Sequence, residues 1–113
     1  MDHVRQSAIE TAEPIDGVQL RLLASGVGAN LQQYRIDPGG AVPEHRHPHE
    51  QLGYLVRGEL TFVVEGEEIV VAAGDSYRLA GDESHAVENR AETVAEGLDI
   101  FSPPRTDPDW AGR

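Results

Sequence analysis

The 113-residue sequence contains no cysteine and no lysine. Without cysteine there can be no disulfides, thiolate zinc sites, iron–sulfur clusters or cysteine nucleophiles, so a bound metal must take nitrogen and oxygen ligands. Without lysine, Schiff-base and lysine-nucleophile chemistry is excluded. All nine basic residues are arginine, a bias for which codon preference is the simplest account. Positive charge is scarce as well: nine basic residues face twenty acidic ones, for a net charge of -11. The acids are spread along the chain, as on a solvated surface, and no basic patch exists to meet phosphate, so nucleic acid is excluded as an expected partner. Residues 1–13 hold acids and no apolar run, unlike a secretory signal or a transmembrane segment; a cytoplasmic location and no membrane partner are expected. No segment carries a convincing helical stripe.

What is present is a succession of short stretches of β-type residues separated by glycine, and a length that suits one domain with one core. The expected organisation is an N-terminal arm over residues 1–17, a β-barrel domain over 18–102 and an irregular tail over 103–113. The arm is polar and carries no visible chemistry. Val18 to Ala24 and Ala29 to Ile36 read as strands, and Asp37-Pro38-Gly39-Gly40 is a strong turn signal. Gln51 to Val56, Leu60 to Val64 and Ile69 to Ala72 form a meander around Arg57-Gly58 and Glu65-Gly66-Glu67. Tyr77 to Leu79, His85 to Asn89 and Thr93 to Phe101 supply the later strands. Roughly eight to ten short strands result, the spacing of a sandwich or barrel.

The chemistry concentrates in Pro43-Glu44-His45-Arg46-His47-Pro48-His49-Glu50-Gln51, which holds three of the five histidines. On an extended strand His45 and His47 point to one side, about 7 Å apart, within reach of one ion. Pro48 disfavours a helical conformation for His47 and so helps to set its imidazole. A solvated edge strand with incidental histidines is the plain alternative. A second histidine-bearing segment, around His85, lies forty residues on, and a small barrel would bring the two together.

These residues resemble the motifs of the cupin superfamily. The first cupin motif, a glycine followed by H-x-H, a carboxylate or amide and a second glycine, finds Gly39, His45, His47, Gln51 and Gly58 at its spacings. The second finds Gly74, His85 and Asn89, with Ala80 where proline is usual and Asp82 where glycine is usual. The resemblance implies an all-β fold, the double-stranded β-helix or jelly-roll barrel, with one divalent metal in its lumen. It assigns His45, His47, Gln51 and His85 as ligands, and zinc, nickel, manganese or iron would each suit such a set. Most relatives place glutamate where Gln51 stands, so this ligand set is neutral and leaves the ion's charge uncompensated. Glu44 or Glu50 could instead supply a carboxylate. His49 has no place in the motif, and a position at the rim, a supporting contact behind the ligands or plain solvation is expected for it rather than ligation.

Further on, Gly97 to Asp107 is similar to the end of the barrel in KdgF-type cupins, pectin-degradation proteins that linearise unsaturated uronates. Asp99, Phe101 and Arg105 keep the spacing of the residues that line the site there. Parity agrees that Asp99 and Phe101 share a strand face. The resemblance implies a small anionic substrate, with Asp99, Phe101 and Arg105 as its catalytic residues. In the alternative, Asp99 caps a strand, Phe101 is core and Arg105 is solvated. Two other functions stay open: a metal-dependent dioxygenase, and a non-catalytic sensor or sugar-binding cupin. Cupins of this size are commonly dimers, and a homodimer is expected, with the arm and Trp110 covering a sheet edge.

Overall fold

The computed structural model describes residues 1–105. Trp110, expected to cover a sheet edge, lies outside the described residues. Ten strands follow one another: β1 (Ala12–Ile15), β2 (Val18–Ser25), β3 (Asn30–Ile36), β4 (Ala41–His45), β5 (Glu50–Arg57), β6 (Glu59–Val64), β7 (Glu67–Ala72), β8 (Ser76–Leu79), β9 (His85–Glu88) and β10 (Ala95–Ser102). They form a six-stranded sheet in the order β1-β2-β3-β10-β5-β8 and a four-stranded sheet in the order β4-β9-β6-β7. Neighbouring strands pair antiparallel throughout. The fold is the all-β jelly-roll barrel that the motifs implied. Among the described residues no helix is long and apolar enough to cross a membrane.

Alternation explains the layering. On β10, Ala95, Gly97, Asp99 and Phe101 are buried, while Ile100 and Ser102 are exposed. On β5, Gln51, Gly53 and Leu55 point inward, and Leu52, Tyr54 and Val56 face out. Inward residues of both sheets meet in a core of Val18, Leu20, Ile36, Val42, Leu55, Leu60, Phe62 and Val87. Each fully buried side chain of this kind contributes roughly 1.5–3 kcal/mol relative to exposure.

Two differences from the sequence reading have physical causes. The stretch read as a polar arm contains one 3₁₀ turn, Gln6–Ala8, and strand β1, which pairs with β2 at the edge of the six-stranded sheet. An edge strand is buried on little of its surface, so its sequence carries no strong alternation. The histidine segment was read as one extended strand, but β4 ends at His45, and His47 lies in the link to β5. There the chain leaves the four-stranded sheet for the six-stranded one, and Pro48 has no N–H with which to continue a ladder. The expected sidedness survives: His47 is buried and His45 half-buried, whereas Arg46 and Pro48 are exposed.

The remaining motif residues shape turns. Gly58 has φ 87°, and a Cβ there would run into the backbone of Val94 and Ala95. Asp82, standing where glycine is usual, takes φ 63°, a conformation that aspartate tolerates better than most residues. Asn89 is 2% exposed and holds a loop together; its amide donates to the carbonyls of Ile36 and Thr93, and its oxygen accepts from the N–H of Ala91. It is a strut and carries no ligand.

Candidate metal centre

His45 and His85 are direct cross-strand partners on β4 and β9, so the two histidine segments meet through sheet pairing alone. Their ring centroids are 4.4 Å apart, and the ring of His47 lies 5.6 Å from His45 and 5.1 Å from His85. One nitrogen from each of the three falls within 4.8 Å of the other two. Gln51 enters from the first inward position of β5, on the opposite sheet.

The tautomers follow from the hydrogen bonds. Nδ1 of His45 faces the carbonyl of Pro43 at 2.9 Å, Nδ1 of His85 that of Glu83 at 2.9 Å, and Nδ1 of His47 that of His49 at 3.1 Å. A carbonyl only accepts, so Nδ1 of His45 and of His85 carries the proton and leaves a lone pair on Nε2, whereas His47 has an acceptor at each nitrogen, the carbonyl of His49 and the amide oxygen of Gln51, and one proton to give. Burial keeps the rings neutral. It lowers His45 and His47 to about 4, with His85 and the Arg105 cation adding to the effect, and it lowers His85 as well. Neutral imidazole is the ligating form.

Gln51 joins the histidines through His47. The carboxylate of Asp99 takes a hydrogen bond from Gln51, which the amide N–H must donate, so the amide oxygen turns toward the histidines. Gln51 Oε1 sits 3.2 Å from His47 Nε2, a hydrogen bond with the proton on Nε2 and a pair of lone-pair donors with the proton on Nδ1. Metal–ligand bonds near 2.1 Å place neighbouring ligand atoms roughly 3 to 3.5 Å apart. The donor set therefore fits a divalent metal, and softer ions that prefer sulfur are poor candidates.

The other expected site residues converge here too. Asp99 is 6% exposed, and its Oδ1 accepts a 2.7 Å hydrogen bond from the hydroxyl of Tyr77. Burial pushes its carboxyl up to about 6, against the opposing pull of hydrogen bonds from Tyr77 and Gln51 and of the Arg105 charge. Phe101, 1% exposed, lies beneath the guanidinium of Arg105, whose carbon is 5.2 Å from the ring centroid. Arg105 is buried, and its backbone N–H is held by the side-chain oxygen of Asn30. Together with His45, His85 and Gln51 these three line a cavity of about 50 Å³ whose inner end is apolar.

Glu44 and Glu50 are engaged elsewhere. The carboxylate of Glu44 accepts from the Ser84 hydroxyl at 2.7 Å, and Glu50 pairs with Arg78 at 2.7 Å on the surface. His49 stands outside the cluster, its ring 5.4 Å from His47 and 6.3 Å from Phe101. Tyr34, Tyr77 and Gln32 also face this cavity, and the sequence reading passed over them. Parity on β8, where Tyr77 shares a side with buried Leu79, was the available signal for Tyr77.

The family model for the cupin domain matches residues 32–101. The chain belongs to the cupin family. Among solved structures, KdgF from Halomonas sp. superposes on this cupin with a TM-score of 0.85 at 24% identity, covering 95% of this chain and 96% of that one. An RmlC-like cupin from Shewanella frigidimarina does so at 0.84 and 27% identity, with 95% and 96% covered. A predicted oxalate decarboxylase from Thermotoga maritima matches at 0.77 and 26% identity, with 89% and 98% covered. One shell thus carries proteins of different names, and function must be argued from the side chains in the lumen.

Proposed function

We propose that this cupin binds one divalent cation through His45, His47, His85 and Gln51 and converts 4,5-unsaturated uronates into linear, ketonised sugar acids. The observation that carries the reading is the meeting, in one lumen, of a buried carboxyl at about 6, a buried arginine and a cluster of three neutral imidazoles. The bound cation would act as a Lewis acid toward the substrate's oxygens.

The chain's own residues account for the rest. Ring opening removes a proton from the anomeric hydroxyl as the bond between the anomeric carbon and the ring oxygen breaks, leaving an aldehyde and an enolate on that oxygen. Ketonisation returns one proton to the far carbon of the former double bond, with no change of oxidation state. Asp99 can do both, since a carboxyl near 6 gives and takes protons readily at neutral pH; such acid–base assistance is worth about 10²–10⁴-fold. Arg105 is permanently charged and offers a two-pronged contact to the substrate carboxylate, local attraction that a protein of net charge -11 otherwise lacks. Phe101 backs that guanidinium and presents an apolar surface to the sugar. The spacing of Asp99, Phe101 and Arg105, similar to that in KdgF-type cupins, supports the substrate class. Incubation with lyase-generated unsaturated galacturonate or mannuronate should remove the ultraviolet absorbance of the double bond faster than a no-protein control. Equal rates would end this reading.

The cavity's size favours a second reading. About 50 Å³ has room for a few waters or a small anion. A cupin that only binds a small anion would need no more room. A homodimer remains part of the proposal: Leu52, Tyr54, Val56 and Ile100 are 42–52% exposed on the outer face of the six-stranded sheet and offer it apolar surface. Size-exclusion chromatography with light scattering tests it.

A further inference from the structure

Two glycines in the six-stranded sheet make room for two phenols. Gly97 on β10 is paired with Tyr34 on β3, and Gly53 on β5 is paired with both Tyr77 on β8 and Asp99 on β10. A Cβ at Gly53 would overlap the ring of Tyr77, and one at Gly97 would overlap the hydroxyl of Tyr34. Each tyrosine thus leans over the glycine beside it, and from strands on either side of β10 and β5 the two hydroxyls come within 3.1 Å. Tyr77 then reaches Asp99 Oδ1 at 2.7 Å.

The direction of this chain of bonds is fixed by chemistry. The hydroxyl of Tyr77 donates to Asp99 Oδ1 and spends its one proton there, so its oxygen accepts from Tyr34. Tyr34 is 4% exposed and Tyr77 stacks on Phe62 with ring centroids 4.6 Å apart, so the array is held by packing as well as by its hydrogen bonds. We infer that Tyr77, backed by Tyr34, is a positioning residue for Asp99: it holds Oδ1 from the barrel side and so presents the other carboxylate oxygen to the lumen. Asp99 is thus held at one oxygen by a phenol before substrate arrives. The catalytic consequence rests on the uronate reading proposed above; the geometry does not.

The test uses the full chain, metal-loaded, as Tyr77→Phe and Tyr34→Phe. Both keep the ring and its packing. Turnover of unsaturated galacturonate by Tyr77→Phe should show kcat lower by roughly tenfold or more, the scale of one lost hydrogen bond to a charged group, with KM within about twofold. Metal content per chain should equal that of the wild type. Tyr34→Phe, one bond further away, should lose about threefold. Unchanged kcat in both variants overturns the inference, as does a loss that merely tracks lost metal. Proton NMR supplies a readout without substrate. The wild type should show two slowly exchanging phenolic hydroxyl resonances, Tyr77→Phe should abolish one and displace the other, and Asp99→Asn should move both. Absence of these resonances also overturns it. A wild type that shows them yet leaves the uronate untouched sinks the substrate assignment while upholding the positioning array.

Discussion

The two sheets furnish the lumen with opposite chemistry. The strands β4 and β9 of the four-stranded sheet bring His45 and His85, bases that burial holds neutral by lowering their affinity for protons. Strand β10 of the six-stranded sheet brings Asp99, an acid that burial raises to about 6. One desolvated space thus acts in opposite directions on groups of opposite charge type, because in each case it disfavours the ionised form. On one wall the outcome is a set of lone pairs fit for a cation; on the other it is a carboxyl able to exchange a proton near neutral pH. The proposed function divides labour along the same line: the histidines would hold a cation and Asp99 would move protons.

The division can be broken from either wall. Asp99→Asn should cut uronate turnover by about 10²–10⁴-fold while leaving bound metal near wild-type stoichiometry, measured by elemental analysis of untagged protein. Ligand affinity should persist in that variant, and a wild type without turnover would leave only the binding function. His85→Ala should weaken cation affinity by at least roughly a hundredfold, read by titration against a competing chelator, while Tyr77 and Asp99 keep their hydrogen bond. Metal retained at full stoichiometry in that variant would remove His85 from the ligand set. Gly53→Ala acts on the six-stranded wall alone. Its methyl displaces the Tyr77 ring, so unfolding stability should fall by about 1–3 kcal/mol in denaturant titration, with little change in metal affinity.

The gentlest probe is acid applied to the metal-free protein. Unfolded imidazoles take up protons near 6.5, whereas folded His45 and His47 hold out to about 4. Between those values the unfolded chain binds more protons, so these residues make the fold less stable as the pH falls. Asp99 works the other way, because its folded carboxyl is protonated at about 6 and its unfolded one only near 3.8. Three imidazoles outweigh one carboxyl, and the unfolding temperature should drop from pH 7 to pH 4.5. Asp99→Asn removes the opposing contribution and should steepen the drop; a shallower one would contradict the assignment.

Much of this was legible in the residues because it depends on local spacing. Alternation placed Asp99 and Phe101 on one face, and the structure buries both while leaving Ile100 exposed. Parity put His45 and His47 on one side, and their rings do approach each other even though β4 stops short of His47, whereas only the resemblance to cupins set Gln51 beside them. Ligand tautomers were not legible, since they hang on carbonyls of Pro43, Glu83 and His49 whose direction only the folded turns define. Nor was the Tyr34–Tyr77–Asp99 array. It arises from the lateral register of β3, β10, β5 and β8, strands far apart in sequence, and a glycine opposite a tyrosine has no meaning until that register is known. The strand within the arm escaped notice because an edge position imposes weak constraints on side chains.

The link between His45 and Glu50 crosses from one sheet to the other, so the candidate ligands stand on both sides of the divide: His45 and His85 on one sheet, Gln51 on the other, His47 on the bridge. An ion seated among them would act as a clasp on a two-leaved shell. Its occupancy would resist the leaves' parting by RT ln(1 + [M]/Kd), about 2.7 kcal/mol at a hundredfold excess over Kd. Heat tolerance would then follow the supply of metal in the surroundings, coupling the durability of this cupin to its readiness to work.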